Sequence, residues 1–580
     1  MLPEVTQFED TVTLVSDTGI QFMDFALRLD PRKEPAGEFA PMISGLVCRL
    51  AYNQEKDFFF YEPEPEKVEK AKPAFSVDMK SSLDLLDGIW LPTPFFRFMP
   101  PHRFDEGPTN WSRMRLVKLA TPDIDGNTHR LTMAFDSRVM PKRDGTAYLA
   151  PNEEDISSGV SFKLATKASE TRWFLAQPWV NEWLLEVFNE GNAHRSRAEL
   201  DTDIRASYHL AHYLNLLSLL STPSAAQQST ARAKVEIPEL KVVANDSNGL
   251  VKPIPVDLVL DVGNSRTCGI LIENHGQAGS GLKQNYVLEL RDLITPEHTY
   301  NLPFESRVEF AQAYFGKDHC SVKSGRHDAF QWATIARVGN EASRLASRRR
   351  GTEGSTGLSS PKRYLWDENA YGHGWRFNCS YIKTDNEPYA TAAPFSHLIN
   401  ETGEALYSLE EDDRLPVFMP RYSRSSLMTF MLAEVLAQAL SQINSPAQRS
   451  RQGHTRVPRQ LNSITLTVPP GMPQAERSIL NERMLQAIGL VWKSLGWHAG
   501  EEDPHQDQAV SPRTPIPSIR VEWDEASCGQ LVYLYTEVNE NFAGHPEEFF
   551  DTIARPDKTD RQRITLATID IGGGTTDLVI

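Results

Sequence analysis

Residues 256–580 are predicted to form an α/β fold, preceded by an α+β unit over 1–220 and a linker over 221–255. Three observations predict this. After residue 256, apolar stretches of strand length alternate with stretches of helical spacing. Two of the strands share one local form: an apolar strand ending in aspartate, a glycine-containing turn, and a second apolar strand. Between 221 and 255 the apolar periodicity disappears and small polar residues collect, as in Ser221-Thr222-Pro223-Ser224-Ala225-Ala226-Gln227-Gln228.

Length and composition bound the rest. A chain of 580 residues allows about three or four domains. With 40% hydrophobic and 24% charged residues, each can close a packed core. A net charge of -17 opposes a general nucleic-acid role, because phosphate binding needs a positive field. The run Arg348-Arg349-Arg350, beside Gly351, Gly354 and Gly357, reads as an exposed loop or a local basic patch. The five cysteines, Cys48, Cys268, Cys320, Cys379 and Cys528, share no short metal-ligand spacing and are odd in number, so a reducing, cytoplasmic setting is expected. Met1-Leu2-Pro3-Glu4 is not followed by a basic and then an apolar region, so no signal peptide is expected. The apolar stretch from Leu210 to Leu220, interrupted by His212 and Asn215, is too short for a bilayer, and no membrane span is expected.

Within 1–220, Val12 to Phe25 alternates in parts around Gly19, which predicts a pair of strands. Trp90 to Phe98 reads as an extended aromatic segment broken by Pro92 and Pro94. Trp179 to Phe188 has apolar residues at helical spacing. These aromatics suit either a packed core or a surface that binds an unidentified protein partner. No nucleophile–base pair with a local signature occurs here.

The two strand–turn–strand segments carry the chemistry. In the first, Val256 to Leu260 lead to Asp261, Gly263, Asn264, Ser265 and Thr267, and Cys268 to Ile272 return. Such a turn can set backbone N–H groups and short hydroxyls around phosphate oxygens, while Asp261 can hold a hydrated Mg²⁺. A purely structural hairpin turn has the same composition. In the second, Ile564 to Ile569 lead to Asp570, then Gly572, Gly573, Gly574 and Thr575, and the strand returns through Thr576 to Ile580. Glycine weakens strands, so three together point to close approach of the backbone to a ligand, and phosphate is the natural candidate.

Together these segments resemble the two phosphate-binding hairpins of the actin, Hsp70 and sugar-kinase superfamily, which has a ribonuclease H-like fold. Two further matches lie between them. Ser360-Pro361-Lys362-Arg363-Tyr364-Leu365 is similar to the Lys-Arg-Leu segment of Hsp70s, and Asp524-Glu525-Ala526-Ser527-Cys528-Gly529-Gln530 to the connecting helix of that family. The strand Ile464 to Val468, Pro469 and a helix from Pro473 to Leu490 lead to it. The resemblance covers residues 256–580. It implies ATP and Mg²⁺ as ligands, Asp261 and Asp570 holding the metal's waters, Lys362 at the γ-phosphate, and Glu525 near the attacking water. Asn264 and Ala526 depart from the family's threonine and proline, and the segment from Asp367 to Leu415 is divergent. The chain ends at Ile580, within the second hairpin. The resemblance therefore implies the first lobe and only the start of the second, with weak turnover for this length alone.

The chain also resembles the SrfB-like virulence factors of bacteria, through Leu83-Asp84-Leu85-Leu86-Asp87-Gly88-Ile89-Trp90, the following Leu91 to Phe98, and Asn110-Trp111. Three functions fit: an ATP-dependent conformational switch with or without hydrolysis, a non-enzymatic nucleotide-binding scaffold, and a small-molecule kinase of the same superfamily. No acceptor-site aspartate is evident for the last.

Overall fold

The computed structural model describes residues 4, 11–42, 46–53, 57–61, 70–100, 103–141, 148–221, 236–245, 252–276, 284–382, 384–506, 514–556, 563–572 and 576–580. It is an α/β structure of mixed parallel and antiparallel sheets built around two main cores.

The first core lies between two sheets. One is antiparallel and runs Ile20–Leu27, His129–Asp136, Ser112–Lys118, Trp90–Pro92. The other runs Thr11–Val15, Glu239–Val243, Ser161–Leu164, Phe95–Met99, Arg103–Phe104. The expected strand pair around Gly19 consists of two strands, but they do not pair with each other. Asp17 and Gly19 take left-handed backbone (φ 55° and 81°) and turn the chain from one sheet into the other. Pro92 and Pro94 mark a second such crossing, between Trp90–Pro92 and Phe95–Met99.

The helix expected over Trp179 to Phe188 is Pro178–Gly191, with proline at its first turn, where no N–H is needed. Trp90, Trp111 and Trp183 are fully buried. The indole N–H of Trp183 donates to Trp90 O (3.0 Å) and that of Trp111 to Phe95 O (2.8 Å), so these aromatics form core rather than a binding surface.

Part of the segment expected as linker belongs to the second of these sheets. Glu239–Val243 lies parallel to Thr11–Val15, in register Leu240 to Val12 and Val242 to Leu14. Its alternation covers only five residues, too few to stand out beside a long polar stretch. The first core also takes in Phe315, Phe330 and Trp332, from well beyond residue 256.

Helix Tyr208–Leu219 buries His209 and His212 in this core. His209 Nε2 meets Asn181 Oδ1 at 3.2 Å and His212 Nδ1 meets Ser82 Oγ at 3.0 Å. Burial pushes both imidazoles down to about 4, with the neighbouring His212 adding to the effect on His209. Their unfolded values are about 6.5, so between those limits the unfolded chain binds more protons and stability falls as pH falls. The loss should reach about 3 kcal/mol per histidine by pH 4. Thermal melts from neutral pH downward check this: the variant with His209→Gln and His212→Gln should show a flatter decline.

The second core is covered by a six-stranded sheet. Its path is Asn285–Val287, Arg266–Glu273, Ile254–Val262, Arg459–Val468, Ser518–Asp524, with Phe304–Glu305 paired to the start of Arg266–Glu273. The first three are antiparallel neighbours, and the last three lie parallel to one another. Along Ile254–Val262, Val256, Leu258, Leu260 and Val262 point into the core. The helices Ser426–Ile443 and Gln474–Ser494 pack together beneath the sheet. Among the described residues, Ser426–Ile443, and not the shorter stretch from 210 to 220, is the helix long and apolar enough to cross a membrane, but 94% of it is buried inside the protein. It also carries Glu434, whose carboxylate pairs with Arg337 at 3.0 Å. Arg349, in the basic run, is held by Glu387 at 2.7 Å through both its Nε and Nη2.

Candidate functional site

The first hairpin places its turn at the end of two sheet strands. Val262 pairs with Thr267 and Asp261 with Cys268, so Gly263 to Arg266 form the tight connection. Gly263 N–H donates to Arg266 O (3.0 Å), and a β-carbon on Gly263 would lie 2.6 Å from that same oxygen. The turn itself requires this glycine. Ser306 braces the turn from outside. Its hydroxyl donates to Gly263 O (2.7 Å) and lies 2.9 Å from Thr267 Oγ1, and its N–H donates to Ser265 O (2.9 Å). Thr267 is buried, so its hydroxyl faces Ser306 inside the turn rather than open space. Ser265 is exposed and Asn264 half-buried. Asp261 is exposed at the strand end, where its Oδ1 accepts from Thr467 Oγ1 on the neighbouring strand (3.0 Å).

Ser306 also links this turn to Lys362. Its carbonyl accepts from Ser360 N–H (2.6 Å), and Ser360, at φ 54°, starts the 3₁₀ turn Pro361–Tyr364. Lys362 is buried at 8% exposure. Its ammonium donates to Val262 O (2.6 Å), at the end of the first hairpin strand, and to Glu525 Oε1 (3.3 Å).

Glu525 opens the helix Glu525–Thr536, whose N-cap is Asp524, its carboxylate accepting from Ser527 N–H (2.7 Å). The parallel strand Ser518–Asp524 delivers it there. Burial pushes the Glu525 carboxyl up. The negative charges of Asp261 and Asp570 add to this, and Lys362 opposes it.

The second hairpin is Thr568–Ile571 with Thr576–Val579, in register Ile571 to Thr576 and Asp570 to Asp577. Both strands pack against the 525–536 helix. Gly572 is exposed, whereas Gly573, Gly574 and Thr575 lie outside the described residues. Lys362 and Glu525 are thus in contact, and Asp261 and Asp570, one from each hairpin, both act on Glu525.

Three carboxylates around one ammonium would repel a bare polyphosphate. A divalent cation removes that imbalance, and exposed Asp261 suits a Mg²⁺ that keeps most of its waters. Among the described residues, the close-set group of three metal-ligating side chains lies elsewhere, at Glu186, His319 and Cys320.

Sequence reading missed Ser306 and Thr467. Ser306 lies 43 residues from Gly263 in an unremarkable segment, and only the fold brings it to the turn. Thr467 is in the strand leading to the helix but carries no signal of its own. Ser306→Ala should cost about 1–2 kcal/mol, because it removes bonds to Gly263 and Thr267 in a buried place. Urea denaturation measures the loss, and faster amide exchange at 263–267 should accompany it.

No curated protein matches the chain. The family model for virulence factor SrfB matches residues 1–580.

Proposed function

The chain belongs to the virulence factor SrfB family over its whole length, and from that premise we propose that residues 256–580 bind Mg²⁺–ATP and use it as a conformational switch of the actin/Hsp70 kind. The observation that carries this reading is the Lys362–Glu525 contact (3.3 Å), with Asp261 and Asp570 on either hairpin acting on the same glutamate. Lys362 is the point charge for the terminal phosphate. Phosphate binding draws the ammonium away from Glu525, and the released carboxylate then orients water. Asp261 and Asp570 hold waters of the cation, whose charge offsets the phosphates. Gly263 to Ser265 supply backbone N–H groups, and Thr267 positions its turn through Ser306. The switch follows from the linkage: Lys362 holds both the first hairpin strand and the helix of Glu525, so a ligand that takes the ammonium loosens one from the other.

Phosphate release from ATP, measured with and without a panel of sugars and other hydroxyl acceptors, tests this. Acceptor-independent release, or binding without release, fits a switch. ADP formed only when an acceptor is present, without matching phosphate release, would indicate a kinase instead.

A further inference from the structure

A second cluster lies where helix Pro178–Gly191 meets the short helix Asp318–Ser321. Glu182, Glu186 and Glu190 follow each other at four-residue spacing and share one helix face. The outer two take lysines: Glu182 pairs with Lys323 and Glu190 with Lys317. The middle rung also meets Lys317, at 3.7 Å from Glu186 Oε2, but adds two softer donors. Both oxygens of Glu186 lie 2.8 Å from His319 Nε2, and Cys320 Sγ lies 3.6 Å from its Oε1. The ligating atoms of the three residues are all within 4.8 Å of one another.

We propose that Glu186, His319 and Cys320 form a zinc site that staples the 178–191 helix to the 318–321 helix. The donor set is one carboxylate, one imidazole and one thiolate, which suits a borderline-soft cation and not Mg²⁺ or Ca²⁺. Zinc bonds of about 2.1 Å to oxygen and nitrogen and about 2.3 Å to sulfur place tetrahedral O and S about 3.6 Å apart, and N and O about 3.4 Å apart. The oxygen–sulfur separation already has that value, and the imidazole has only to withdraw slightly from the carboxylate. Cys320 is fully buried and fixed by the core, whereas the His319 side chain is 59% exposed and free to adjust. A water would complete the four-coordinate shell. Glu186 and the Cys320 thiolate neutralise the cation. Binding displaces the thiol proton to solvent, with no change of oxidation state. The site would tie a helix of the first core to a segment contributed from beyond residue 256, and it does not depend on the nucleotide reading.

The test uses the full chain, stripped of metal with a chelator and titrated with Zn²⁺ by calorimetry. The expected result is one site, with a rise in melting temperature on loading and no competition by Mg²⁺ or Ca²⁺. Cobalt-loaded protein should show a thiolate charge-transfer absorption that Cys320→Ser removes. His319→Ala, which alters an exposed side chain and keeps the fold, should weaken Zn²⁺ by about 10–100-fold or more. Cys379→Ser should leave affinity and spectrum unchanged. Equal Zn²⁺ affinity in wild type, His319→Ala and Cys320→Ser would overturn the proposal, as would no binding at micromolar metal. The cluster would then be an ion-pair rung like its neighbours.

Discussion

Glu434→Ala is expected to destabilise the protein by about 3–5 kcal/mol, because it leaves a buried guanidinium without its counter-charge. Glu434 sits inside the apolar helix Ser426–Ile443, and both it and Arg337 are essentially without solvent contact. Its Oε1 accepts from Arg337 Nη1 (3.0 Å) and Gln438 Nε2 (2.9 Å), and its Oε2 accepts from Trp332 Nε1 (2.8 Å) and the Thr334 hydroxyl. Alanine leaves Arg337 without its counter-charge and Trp332 Nε1 without an acceptor, and opens a cavity; Gln438 and Thr334 keep their bonds to Arg291 O and Ala336 O. The paired replacement Glu434→Leu with Arg337→Met should cost far less, since it removes the charge together with its partner. Urea denaturation of the three proteins separates the cases. A loss below about 1 kcal/mol for Glu434→Ala would mean that Arg337 finds another partner.

For Glu525→Gln, Mg²⁺–ATP binding should persist while single-turnover phosphate release falls by about 100-fold or more, the range for removal of a group that handles the attacking water's proton. The amide keeps the size of the side chain and can still accept from Lys362, so the hairpin–helix link survives. It cannot take a proton. The raised Glu525 carboxyl adds a pH signature, caused first by burial and then by Asp261 and Asp570. Release should fall as acid protonates Glu525, at a pH above that of an ordinary glutamate. Asp570→Asn should move that fall toward lower pH, by removing one of the charges that raises it. Equal release rates for wild type and Glu525→Gln would remove Glu525 from the mechanism.

The sequence made local form legible where a residue type has one dominant physical reason to be present. The strand–aspartate–glycine–strand pattern located both hairpins because apolar alternation and a tight turn are local properties. The helix at Glu525 was placed through its resemblance to a known connecting helix; the cap by Asp524, whose carboxylate satisfies its first N–H groups, is seen only in the structure. Long-range partnerships were not legible. Nothing near Gly19 shows that its two strands join different sheets, because sheet partners are chosen by residues a hundred or more positions away. The strand Glu239–Val243 was hidden for the same reason: it is stabilised by its neighbours Thr11–Val15 and Ser161–Leu164 rather than by its own length. At the site, the types of Lys362 and Glu525 were readable, but their contact and the Ser306 brace arise only once strands at 254–262, 459–468 and 518–524 lie side by side.

The central claim is that Asp261, Lys362, Glu525 and Asp570 surround one nucleotide. Calorimetric titration of Mg²⁺–ATP into the wild-type chain and into Lys362→Ala tests it most directly. The account predicts a single magnesium-dependent site in the wild type. Loss of the Lys362 ammonium should weaken it by about 10–100-fold, the worth of one charge-assisted bond to phosphate. Absence of any Mg²⁺–ATP binding, or equal affinity in wild type and Lys362→Ala, would contradict it.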